Sequence, residues 1–216
     1  MIFSETFFFG AAELVGTLAF AASGAMLAID RRLDLLGVTV LGVTTALGGG
    51  VIRDILLGIL PPRMFSSYAY VAAAAAASII VFAVEALLRE RFRRRREAVE
   101  RVINLFDAIG LGVFTVIGIQ ASIEHGFGQN AFLSVFLGVL TGVGGGVLRD
   151  VMSRETPAIL RKHIYAIASV AGGVLYYLCW YFGWNGGGSV LLSVLAVVAI
   201  RLAAAHYRWS LPKIEA

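Results

Sequence analysis

Gly48-Gly49-Gly50-Val51-Ile52-Arg53-Asp54 recurs in the same chain as Gly144-Gly145-Gly146-Val147-Leu148-Arg149-Asp150. Only the Ile52/Leu148 position differs. Each copy sits inside a long apolar run. A glycine in a helix interior costs about 1 kcal/mol relative to alanine, so two triplets in matching places need a structural reason. Two readings are open. Gly42, Ala46 and Gly50, and likewise Gly138, Gly142 and Gly146, are spaced by four and form small-residue stripes for close helix packing. Those stripes leave Gly48, Gly49, Gly144 and Gly145 on other faces. A local break in each helix accounts for them, because glycine tolerates non-helical backbone.

The surrounding composition sets the solvent. Of 216 residues, 59% are hydrophobic and 15% charged, and mean hydropathy is +0.84. A chain this short cannot bury that much apolar surface in water, so a bilayer is expected around it. The apolar runs are continuous and do not alternate, which predicts helices and excludes a barrel. Cys179 is the single cysteine, which excludes an intrachain disulfide. His125, His163 and His206 have no ligand spacing, so no metal or other cofactor is expected. No nucleophile–base arrangement stands out, and the triplets lack a Walker lysine and a preceding strand, so an enzyme is not expected.

Seven spans are predicted, at about 7–29, 35–58, 67–88, 103–123, 131–152, 163–183 and 188–207, each near the ~20 residues that cross the hydrocarbon. The first is read as a retained helix and not a cleaved signal, because its basic residues follow it. Fourteen of the 18 basic residues fall after spans 1, 3, 5 and 7, only Arg63 falls on the opposite side, and Arg53, Arg149 and Arg201 lie within spans. The positive-inside rule then places the N-terminus outside and the C-terminus in the cytoplasm of a bacterial or archaeal plasma (inner) membrane. The arginine-rich stretch 89–102 reads as a cytoplasmic linker that fixes topology and meets anionic lipid headgroups, with no nucleic-acid role.

The repeat extends beyond the triplets. Span 1 aligns with span 4 through Glu13/Asp107, Gly16/Gly110, Phe20/Phe114 and Gly24/Gly118, and Pro61 aligns with Pro157 after each motif. Three spans per copy is an odd number, so the second copy must run inverted. The expected fold is an all-α membrane protein of seven transmembrane helices: two inverted three-helix repeats, 1–88 and 103–183, and a seventh helix with a short tail, 184–216. Inverted repeats of this kind place discontinuous helices around a midplane site.

A break at Gly48–Gly50 and Gly144–Gly146 would free carbonyls for a dehydrated cation. Arg53 and Arg149, about one turn on, either snorkel to an interface or project into the pathway and pair with a carboxylate. Asp54 and Asp150 follow them directly and point some 100° away on a helix, so pairing across helices is expected. Glu13 and Asp107 either partner those arginines or sit at helix N-terminal turns. Thr44, Thr45, Thr141, Ser23 and Gln120 line a path or bridge helices. Arg201 either binds a lipid headgroup or snorkels, and snorkelling is expected.

These residues, the doubled Gly-Gly-Gly-x-x-Arg-Asp motif and the two inverted three-helix repeats, resemble the trimeric intracellular cation (TRIC) channel family in its prokaryotic branch, over essentially the whole chain. The resemblance implies a homotrimer in membrane lipid, with one pore per protomer kinked at the triplets and conducting monovalent cations, chiefly potassium. It also places Arg53 and Arg149 in the pore. Related bacterial sequences carry a glycine-transporter domain name. The alternative reading is therefore a secondary transporter of a small solute such as glycine, and the third a membrane scaffold.

Overall fold

The computed structural model describes residues 2–93, 96–161, 164–207 and 209. Among them the regular elements are helices: α1 Ile2–Asp30, α2 Leu35–Leu56, α3 Arg63–Ser66, α4 Tyr68–Arg93, α5 Arg96–Ser122 followed by a π-helical turn Ile123–Phe127, α6 Ala131–Met152, α7 Ala158–Arg161, α8 Ile164–Tyr181 and α9 Gly187–His206. Seven of these are long and apolar enough to span a bilayer, at Phe7–Asp30, Leu35–Leu56, Tyr68–Leu87, Val99–Phe127, Ala131–Met152, Ile164–Tyr181 and Gly187–His206. The expected spans and the inverted-repeat membrane fold are thus present. The basic linker differs from a loop: helix runs to Arg93 and resumes at Arg96, with Arg94 and Arg95 outside the described residues.

The two halves are built alike from the caps inward. Asp34 accepts the Gly37 N–H at 2.7 Å to start α2, and Asn130 accepts the Leu133 N–H at 3.0 Å to start α6. Side-chain N-caps satisfy helix donors that have no intrahelical partner. After α2 and α6 the chain turns at a proline segment into the one-turn helices α3 and α7. In each half the first two long helices form a hairpin with the same contacts. Gly24 of α1 lies against Thr45 and the Leu41 carbonyl of α2, and Gly118 of α5 lies against Thr141 and the Leu137 carbonyl of α6. Both threonines return their hydroxyls to the carbonyl four residues back, at 2.6 Å.

The halves meet at two antiparallel crossings. In the first, Phe20 of α1 and its repeat mate Phe114 of α5 are in ring contact, centroids 5.3 Å apart. The second is the crossing of α2 and α6 at the triplets. A methyl group on Gly49 would run into the Thr141 carbonyl oxygen, and one on Gly145 into the Thr45 carbonyl oxygen. Those two contacts are symmetry mates. Apolar side chains on the outer faces, including Phe7, Leu14, Ile80, Leu87, Leu191 and Leu195, are exposed on the protomer, as a chain surrounded by lipid or by copies of itself requires.

The helix break expected at the triplets is not there. Both α2 and α6 run unbroken through their glycines, and no residue of either triplet has a positive φ. Packing explains the glycines that a four-residue stripe did not. Gly48 faces Leu148 of the other half, a Cβ on Gly144 would lie 3.0 Å from the Gly49 Cα, and Gly146 faces the Tyr165 hydroxyl. The stripe argument underestimated this because it considered one partner helix per face. The second triplet is pressed between α2 and α1 of the other half and Tyr165 of its own, whereas the first is pressed by α6 alone. Only Gly50 has open space, with the Arg53 Nη2 3.7 Å from its added Cβ.

Candidate functional site

Each motif delivers a buried arginine at the end of its helix. Arg53 is 3% exposed and Arg149 5%. Neither snorkels. Each pairs with the aspartate directly after it: Arg53 Nε and Nη2 donate to Asp54 Oδ1 at 2.9 and 2.6 Å, and Arg149 Nε donates to Asp150 Oδ1 at 2.9 Å, with Nη2 2.8 Å away. This corrects the expectation that the aspartates pair across helices. The 100° offset between neighbours is bridged because an arginine side chain is long enough to fold back around the last turn. The aspartate is held in place by its other oxygen. Asp54 Oδ2 accepts the Arg63 N–H at 2.9 Å, and Asp150 Oδ2 accepts the Ala158 N–H at 2.7 Å. Those N–H groups open α3 and α7, where a carboxylate meets the favourable end of the peptide dipoles. The motif therefore ties an arginine to the start of the next short helix, twice.

Glu13 and Asp107 take part in the same two clusters. In the second half Asp107 is enclosed. Its Oδ1 accepts from Arg149 Nη1 at 2.7 Å and from the Tyr165 hydroxyl at 3.3 Å, and its Oδ2 lies 3.6 Å from Arg201 Nη2. Arg149 Nη1 also donates to Ser23 on α1 at 2.7 Å, which links this cluster to the other half. Arg201 corrects a second expectation. It is 4% exposed, and its guanidinium lies over the Tyr165 ring at 4.5 Å from the centroid. Snorkelling is not an option, because α9 packs this face onto α5 and α8.

In the first half the mates of these groups are arranged more loosely. Tyr70, the repeat mate of Tyr165, lines one cavity together with Glu13. Arg53 stays with Asp54, however, and a cavity of about 120 Å³ separates the groups. Glu13, Gly50, Arg53, Asp54, Arg63, Ser67 and Tyr70 line it together with Phe114. Arg63 reaches Asp54 Oδ1 only at 3.9 Å; its side chain is 42% exposed as a whole, but its Nη2 is buried and has no hydrogen-bond partner.

The polar side chains noted in the spans bond within their own helix or bridge to another. Thr45 and Thr141 bond to their own helices, Ser23 bridges the halves, and Gln120 bonds Glu124 at 3.0 Å and the Tyr176 hydroxyl at 2.8 Å. His125 bonds the Ala121 carbonyl, and His163 lies outside the described residues. Sequence reasoning missed Tyr70 and Tyr165, which extending the repeat alignment into its third helix reveals at an offset of 95. It also missed the short helices; the recurring proline was their only signal.

Two Arg–Asp clusters related by a pseudo-two-fold axis, at the ends of two helices that cross back to back, define a seven-helix membrane protein of the inverted-repeat class. The chain belongs to the family described as "Glycine transporter", whose model matches residues 11–86 and 104–181. It is 36% identical to the UPF0126 inner membrane protein YadS of Escherichia coli K12, over 93% of each chain. Its structure superposes on a solved TRIC cation channel with a TM-score of 0.80 and 37% identity, covering 96% of this chain and 98% of that one. The TRIC channel orthologue of Rhodobacter sphaeroides superposes with a TM-score of 0.83 and 28% identity, covering 93% and 98%. The fold is that of the TRIC channels, as the doubled motif suggested.

Proposed function

We propose that the protein is a passive channel for monovalent cations, chiefly potassium, with one pore per protomer running along α2 and α6 and with protomers assembled as a homotrimer. Its membrane is the plasma membrane, with the N-terminus outside. The observation that carries the reading is the neutralisation of each pore arginine by its own aspartate. An uncompensated arginine in a low-dielectric path repels cations strongly. Here the positive charge of Arg53 and of Arg149 is met by a carboxylate within 3 Å. The likeness to cation channels over nearly the whole chain supports the same conclusion. Orientation draws support from the ion pair of Arg31, after α1, with Glu155, after α6, since both loops are expected on the cytoplasmic side.

On this reading the described state is closed. The Phe20–Phe114 contact and the Gly49–Gly145 crossing occupy the centre, and conduction requires them to separate. A second reading, transport of a zwitterion such as glycine, draws on the family's description and on a cavity lined by both a guanidinium and a carboxylate. Flux from proteoliposomes separates the two. A channel dissipates a potassium gradient at a rate that does not saturate and leaves glycine outside. Saturable glycine uptake with no potassium leak would overturn the channel reading.

A further inference from the structure

The long helix α9 has no repeat mate, yet its seat has one. α9 packs into the angle between α5 and α8. A methyl group on Gly172 of α8 would run into Val197 of α9, and one on Gly112 of α5 would lie 3.1 Å from the Val194 carbonyl oxygen. Val190 shares a core cluster with Val116 of α5, and Ala12 of α1 packs against the same cluster. The repeat offsets, 94 for the first helix of each half and 95 for the third, carry these positions into the first half. Gly112 maps to Leu18, Val116 to Ala22 and Gly172 to Ala77, and in the opposite direction Ala12 maps to Phe106.

All four mates line one groove of about 520 Å³ between α1, α4 and α5. Every residue that lines it is apolar, and it shares none with the cavity beside Glu13. The groove is therefore the first-half counterpart of the α9 seat, left open on the protomer. α4 shows the consequence. Residues buried inside the protomer make up 11% of its apolar stretch, against 44% for its mate α8.

We infer that this groove receives a transmembrane helix of a second copy of the chain and is a surface through which the protomers assemble. The inference rests on the homotrimer proposed above. The strongest argument for a helix as the occupant is the other half, where the same framework of two repeat helices holds one. The groove wall is also rich in alanine, at Ala19, Ala22, Ala73, Ala76 and Ala77. Small residues let helix backbones approach closely within a membrane, and association there depends on such packing. A closed ring of three copies further needs heterologous contacts, in which one surface meets a different one on the next copy. A groove that its own protomer leaves open supplies such a surface once per copy. Of the two equivalent seats, one is filled in the same chain by α9 and the other by a neighbour.

The test counts chains per assembly for the purified full-length protein in mild detergent, by light scattering corrected for bound detergent. Ala76→Phe puts a ring into the groove from its exposed wall, and Ala72→Phe puts the same ring on an exposed face of α4 outside the groove. The wild type and Ala72→Phe are expected to be trimers, and Ala76→Phe a monomer with wild-type helical content. A trimeric Ala76→Phe overturns the inference. The second measurement does not depend on that variant folding. A nitroxide on Ile80→Cys, with Cys179→Ser so that it is the sole thiol, is placed in the groove of the reconstituted protein, and its collisions with dissolved oxygen are compared with those of a nitroxide on the exposed Leu195→Cys. Shielding of position 80 relative to position 195 is the expected result. Equal oxygen access means that lipid chains, or a different protein lost on purification, cover the groove, and overturns the inference as well. A monomeric wild type sinks the homotrimer itself.

Discussion

Arg149 of α6 donates its Nη1–H to the Asp107 carboxylate of α5 at 2.7 Å, with both side chains almost wholly buried. This contact closes one half of the molecule. The same two positions in the other half, Arg53 and Glu13, line a cavity together. Most of what distinguishes the halves follows from that difference.

The first prediction concerns the closed cluster. Removing one member of a buried ion pair leaves its partner uncompensated and costs about 3–5 kcal/mol. Asp107→Asn takes from Arg201 its carboxylate and leaves Arg149 with Asp150 alone, and should lower the melting temperature in detergent clearly. Arg201→Met should cost less, because Arg149 and Tyr165 still satisfy Asp107. Equal and small shifts for both variants would contradict the arrangement.

A second prediction separates the glycines. Gly49→Ala and Gly145→Ala push a methyl group into a backbone carbonyl of the opposing helix. Overpacking of this kind costs about 1–3 kcal/mol. Gly50→Ala meets open space and gains helix propensity, so it should be neutral or stabilising by up to about 1 kcal/mol. Melting of the three variants side by side checks this; a Gly50→Ala loss as large as the other two would restore the broken-helix reading.

The third prediction addresses the aspartate caps. Asp54→Asn and Asp150→Asn weaken the bonds to the Arg63 and Ala158 N–H groups. A charged cap bond contributes about 1.5–3 kcal/mol. Amide hydrogen exchange at the start of α3 should accelerate in the first variant, and at α7 in the second, each without change in the other half. Unchanged exchange in both would show that the carboxylates do not hold these turns.

Much of the fold could be read from the chain. Hydropathy located the spans, and the Glu13/Asp107 and triplet matches exposed the repeat, because membrane burial makes every span apolar and repetition preserves its exceptions. The site was legible as a set of residues but not as contacts. That Asp54 would turn back to Arg53 depends on α3 supplying a second donor, which a one-turn helix barely signals. That Arg201 would face inward depends on which side of α9 meets α5, and an apolar helix hides that choice. The glycines were misread for a related reason: a single-helix view cannot see that two helices press on one triplet from different sides.

The central claim is that a path lined by neutralised arginines passes cations. The most direct measurement is a single-channel recording of the purified protein in a planar bilayer with unequal potassium chloride on the two sides. The account predicts unitary currents reversing close to the potassium equilibrium potential. Currents reversing at the chloride potential, or a folded protein that gives no unitary currents, would contradict it.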